Sequence, residues 1–118
     1  MVYIALALFV CAFLGGLFMV LKFSQGNDIP LPISIAHGAA AAAGLAVLFV
    51  VVSDGSGMAS KVALGAYVLA ALGGCTIFTM GRLLKKPIPG LMITGHALIA
   101  ITGCTAISWA SYTAFAGA

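Results

Sequence analysis

The chain has only two histidines, His37 and His96, and both sit in the same local sequence. IPLPISIAHGAAAAAG, from Ile29 to Gly44, returns as IPGLMITGHALIAITG from Ile88 to Gly103. The copies align without a gap: Ile29 on Ile88, Pro30 on Pro89, His37 on His96 and Gly44 on Gly103, each pair 59 positions apart. An imidazole in apolar surroundings can hydrogen-bond to a neighbouring helix, or offer a nitrogen lone pair to a metal ion or to the metal of a tetrapyrrole. Repetition alone does not choose between these, because a duplicated hairpin inherits its histidine twice whatever the residue does. Upstream of each copy stands a glycine pair, Gly15-Gly16 and Gly73-Gly74, at an offset of 58, so the intervening segments differ by one residue. The pattern reads as one helical hairpin used twice, a parallel internal repeat with copies over 1–53 and 61–115.

The elements that must position these residues follow from composition. Of 118 residues, 64% are hydrophobic and 6% charged, and mean hydropathy is +1.26. Too little polar surface exists to coat a water-soluble domain. Long apolar runs without alternation select helices, whose backbone groups are satisfied within the segment. About 20 apolar residues cross a bilayer, and four such runs are predicted, over 2–23, 33–53, 61–84 and 91–115. The expected fold is all-α, an integral membrane four-helix bundle forming a single domain over 1–118.

The loops between these spans are rich in turn formers: Ser24 to Pro32 (SQGNDIPLP), Asp54 to Ser60 (DGSGMAS) and Lys85 to Gly90 (KKPIPG). Pro32 stands just ahead of the second span, where a missing amide hydrogen does no harm. The first span begins like a signal peptide but lacks a basic leader, so it is read as a mature helix. Trp109 and Tyr112, near the end of the fourth span, suit an interfacial anchor. Cys11, Cys75 and Cys104 all fall in apolar spans and form no CxxC, which argues against a disulfide framework or a zinc knuckle.

Lys22, Arg82, Lys85 and Lys86 flank the first and third loops with Asp28, whereas the opposite side carries Lys61 and Asp54. The positive-inside rule then puts both proline loops in the cytoplasm and both termini outside, with the bacterial inner membrane as the expected location. The net charge of +3 is too scattered for a nucleic-acid surface.

On this frame His37 lies about 7 Å into its span, and His96 takes the matching place. Ionisable groups at that depth need a partner. In an up-down-up-down bundle the second and fourth spans are diagonal, so the two imidazoles can face each other at equal depth. Two histidines without a nearby carboxylate or thiolate are too few for a bare zinc or copper site. A metalloporphyrin supplies its own equatorial ligands, and the residues after each histidine on its face are small: Ala40, Ala41 and Gly44, then Ile99, Ala100 and Gly103. Gly15, Gly16, Gly73 and Gly74 could line the same slot, and Arg82, Lys85, Lys86 and Lys22 are available for its propionates. Each histidine's second nitrogen is expected to donate to a carbonyl one turn earlier or to Ser34. Met19 and Met80 are alternative axial ligands, although methionine in apolar helices is usually packing.

With these residues the chain resembles the membrane-embedded b-type cytochromes, four-helix bundles in which histidines on diagonal helices hold haem and glycines let the helices pass the ring. The resemblance implies one haem b per chain, its iron ligated by His37 and His96, and a role in single-electron transfer with a quinol pool or other subunits of a membrane complex, with oligomers allowed. Larger cytochromes of this kind carry two histidines per ligating helix and hold two haems, whereas this chain has one per helix. Other readings stay open. Chlorophyll-type pigments also take axial histidine, and a cofactor-free accessory subunit would use the histidines and glycines for helix packing. A small multidrug-type exporter has the right length but needs a membrane-embedded acid, and Asp28 and Asp54 both fall in loops. No acid or base is placed for quinol deprotonation, which favours an electron-transfer or accessory subunit over a self-sufficient enzyme.

Overall fold

The structure, a computed structural model, describes residues 1–117; Ala118, the last residue of the expected domain, lies outside them. Four helices, α1 (Val2–Ser24), α2 (Leu31–Ser53), α3 (Met58–Phe78) and α4 (Gly90–Ala116), form an up-down-up-down bundle. All four are long and apolar enough to cross a membrane. Their outer faces carry exposed Leu14, Leu17, Leu69, Leu72 and Leu98, as a bilayer requires. Three hydroxyls on those faces are satisfied within their own helix: Thr76, Thr102 and Thr105 each donate to the carbonyl four residues back. The chain is an integral membrane protein.

The helix ends are chemically explicable. After α1, Gly26 takes φ +71°, while its amide donates to Phe23 O and that of Asn27 to Lys22 O, so the orphan carbonyls of the last turn are met by a Schellman closure. Pro32 lies inside the first turn of α2, which begins at Leu31, two residues before the predicted start at 33. Likewise α3 begins at Met58, not at Lys61, because Gly57 is extended and can enter the helix directly.

The largest local departure is at the end of α3, where Thr79–Leu83 form a π-helical turn. Leu84 N donates to Thr79 O and Lys86 N to Met80 O, each at 2.9 Å. The spacing from Gly74 to Pro89 exceeds that from Gly16 to Pro30 by one residue, and a π turn is how a helix absorbs one extra residue. Lys85 then ends the element in the left-handed region at φ 49°, the place Gly26 holds after α1.

Packing is closest between α1 and α2 and between α3 and α4; α2 also meets α3 and α1 meets α4, leaving α2 and α4 diagonal. The core is confined to one half of the bundle and consists of Ala5, Phe9, Leu48, Ala63, Tyr67 and Ile107. Its centre is a parallel stack of Phe9 on Tyr67, with ring centroids 3.5 Å apart and planes 4° from parallel. Lipid tails are as apolar as these side chains, so this core gains from close packing rather than from escape from water. In the other half no residue from 13 to 43 or from 71 to 102 is buried. That half holds both histidines.

Candidate functional site: a histidine pair between two hairpins

Each histidine is held by the helix that precedes it in its own hairpin. His37 on α2 donates from Nδ1 to the carbonyl of Ala12 on α1 at 2.7 Å, and His96 on α4 donates from Nδ1 to Ala70 O on α3 at 2.8 Å. This corrects the expectation that a carbonyl one turn earlier or Ser34 would serve. The hydroxyl of Ser34 instead points at Met19 Sδ, 3.6 Å away.

The glycine pairs explain why those carbonyls are reachable. A helical side chain leans back over the preceding turn, so residues 15 and 16 would cover Ala12 O, and residues 73 and 74 would cover Ala70 O. With glycine there, each carbonyl keeps a lone pair open beyond its helical bond. The fit is tight: a Cβ on Gly16 would lie 3.1 Å from His37 Cε1, and one on Gly74 would lie 3.1 Å from His96 Cε1. A Cβ on Gly15 or Gly73 would stand farther from the same rings, 3.8 and 3.6 Å from the respective Nδ1.

A carbonyl can only accept, so Nδ1 carries the hydrogen in both rings. In the neutral imidazole that leaves Nε2 as a bare lone pair, and neither Nε2 has a hydrogen-bond partner among the described residues. Two such rings cannot hydrogen-bond to each other, since both free nitrogens are acceptors. The ring centroids are 6.2 Å apart and the planes are inclined at 67°. A metal about 2.0 Å from each of two imidazole nitrogens, themselves about 1 Å from their ring centres, spaces the centroids by about 6 Å. Among the described residues no three His, Cys, Asp or Glu side chains converge. The donor set is therefore two imidazoles, which suits a metal whose other ligands arrive with it.

The remaining candidates are distributed unevenly. Gly44 and Gly103 do not flank the imidazoles: the Phe9 and Tyr67 rings occupy the space over them, 3.0 Å from where a Cβ would stand. Arg82, carried out of α3 by the π turn, donates from Nη2 to Ile29 O at 2.7 Å and so ties the second hairpin to the first loop. Lys85 is exposed in the second proline loop, and Lys22 lies 5.6 Å from the Phe18 ring. Trp109 and Tyr112 are exposed neighbours, 5.8 Å apart.

Ala12, Ala70, Phe9 and Tyr67 escaped the sequence reading. Their signal was the offset of 58 that the glycine pairs share, which also relates Ala12 to Ala70 and Phe9 to Tyr67. Comparison with protein families, curated proteins and solved structures finds no match for this chain.

Proposed function

We propose that the chain is a small membrane b-type cytochrome, binding one haem between His37 and His96 and exchanging single electrons with a quinol pool or with other subunits of a membrane complex. The observation that carries this reading is the imidazole pair itself: Nδ1 of each ring tied to a backbone carbonyl, Nε2 free, and 6.2 Å between centroids. The absence of any buried residue at their level supports it, because a bundle half that its own side chains do not close is suited to a flat group between the hairpins.

In this reading the two hairpins are tandem copies, and each contributes one ligating helix and one helix that orients it. His37 and His96 would hold the haem, which when bound would supply a one-electron iron couple. The chain's own part is to hold the imidazoles in one tautomer, through Ala12 O and Ala70 O, and to keep the site in apolar surroundings. The basic residues Lys22, Arg82, Lys85 and Lys86 lie at the same end as the histidines, available to carboxylates at that edge. The excess of basic residues supports reading this end as the cytoplasmic one, with a bacterial inner membrane as the membrane proposed.

The first test is a dithionite-reduced minus air-oxidised spectrum of the detergent-purified protein. A sharp low-spin α-band of the b type is the expected result. A protein that remains colourless after reconstitution with haem would leave the histidines as helix-packing residues of an accessory subunit. The inclination of the rings gives a second expectation. Imidazole planes 67° apart, if kept when His37 and His96 hold a haem iron, would bring the two iron orbitals that they perturb near degeneracy. The ferric protein should then show a highly anisotropic low-spin paramagnetic resonance signal; a rhombic signal typical of parallel imidazoles would contradict this geometry.

A further inference from the structure

The Phe9–Tyr67 stack lies directly beneath the histidine pair and has no part in holding it. Gly44 is two helical turns deeper than His37, about 10 Å along the axis, and Gly103 stands in the same relation to His96. That depth is comparable to the half-width of a porphyrin plus one van der Waals contact. The direction also matches. A ring ligated from α2 and α4 must extend along the bundle axis and towards α1 and α3, and the stack bridges α1 to α3.

The stack is also immobile. Phe9 is 2% exposed and Tyr67 7%. Each ring is wedged against a glycine whose Cβ would stand 3.0 Å from it, so neither can turn aside without moving a helix. A second copy of the ring could not fit below this level, where Ala5, Leu48, Ala63 and Ile107 are packed with 0% exposure.

Resting on the cytochrome reading, we infer that Phe9 and Tyr67 form the floor of a tetrapyrrole slot and select a haem whose inward edge carries only small apolar substituents, rejecting one with a long isoprenoid chain. Protohaem, with vinyl and methyl groups at that edge and carboxylates at the other, satisfies both ends. Haem O, with a hydroxyethylfarnesyl chain, would drive that chain into the stacked rings.

The test is a spectral titration of the full-length apoprotein in detergent with protohaem and, separately, haem O. The wild-type protein should bind protohaem at one per chain and haem O roughly tenfold or more weakly, the least that even one methylene in conflict with a packed apolar wall costs. Phe9→Ala, which opens the floor, should bring the two affinities to near parity. If Phe9→Ala loses helicity by circular dichroism, Phe9→Leu takes its place and should narrow the preference in the same direction. Equal wild-type affinity for both haems, or a folded Phe9 variant that keeps the full preference, would overturn the floor. Failure of the wild-type protein to bind either haem would overturn the cytochrome reading itself and this inference with it.

Discussion

His37→Ala and His96→Ala are each expected to abolish the low-spin α-band and leave either a high-spin, readily lost haem or none at all. The reasoning is stoichiometric. In the proposed site the two imidazoles are the whole donor set, with no third His, Cys, Asp or Glu beside them among the described residues, so losing one halves it, and nothing within the pair can replace it. Haem release should accelerate by more than the roughly 10–100-fold that loss of a merely orienting partner costs. Added imidazole should restore the band in part, because the free base can occupy the position of the missing side chain. A packing role predicts a different outcome. The bond from Nδ1 to Ala12 O or Ala70 O would then be the whole contribution, worth about 1 kcal/mol net. The substitution would lower the melting temperature slightly, and imidazole would change nothing. Equivalence of the two variants is a further expectation, since the rings have matching partners at 2.7 and 2.8 Å. A band that survives either substitution unchanged would remove both residues from ligation.

The fold was largely legible because the membrane simplifies it. Hydropathy marks the four helices, and proline and glycine mark the loops, to within about three residues at each boundary. The misplaced starts of α2 and α3 have one cause: Leu31 and Met58 look like loop residues because prolines or glycine stand beside them, yet Pro32 and Gly57 are compatible with the first turn and its approach. The π turn was half visible. A one-residue excess between Gly74 and Pro89 was countable in the sequence, but counting cannot tell a longer loop from a wider helical turn, and only the backbone hydrogen bonds of Leu84 and Lys86 do so.

The histidine pair was legible as a pair, and its partners were not. Acceptors that belong to the backbone leave no residue type to read, so Ala12 and Ala70 looked like any other small residue of an apolar helix. What could be read was the negative imprint, the glycines that uncover those carbonyls. Gly44 and Gly103 illustrate the converse. Their position on the face of each histidine was correct in helical periodicity, but two turns of depth bring them to the level of Phe9 and Tyr67. Periodicity reports which way a residue faces; it does not report what stands opposite.

That imprint supports the second large expectation. Gly16→Leu and Gly74→Leu should each eliminate haem binding, while Gly38→Leu should leave it intact. The three substitutions make the same chemical change inside a helix, and each improves intrinsic helix propensity by about 0.8 kcal/mol. They differ in what the new side chain meets. At Gly38 and Gly65 nothing lies within 4 Å of an added Cβ, so the side chain enters lipid. At Gly16 and Gly74 the first new carbon already stands 3.1 Å from a histidine Cε1, and the remaining three would have to pass through the ring or cover the carbonyl that holds it. The imidazole must then swing away, breaking its bond to Ala12 or Ala70 and misdirecting Nε2. Alanine is the graded case: a shift of a few tenths of an ångström could accommodate it, so Gly16→Ala should retain haem but loosen it. Circular dichroism and the reduced-minus-oxidised spectrum, measured on the same preparations, separate loss of the site from loss of the fold. If Gly16→Leu keeps the full low-spin band, the glycines are not what brings the helices and imidazoles together; if Gly38→Leu loses it as well, the effect belongs to the bundle and not to the site.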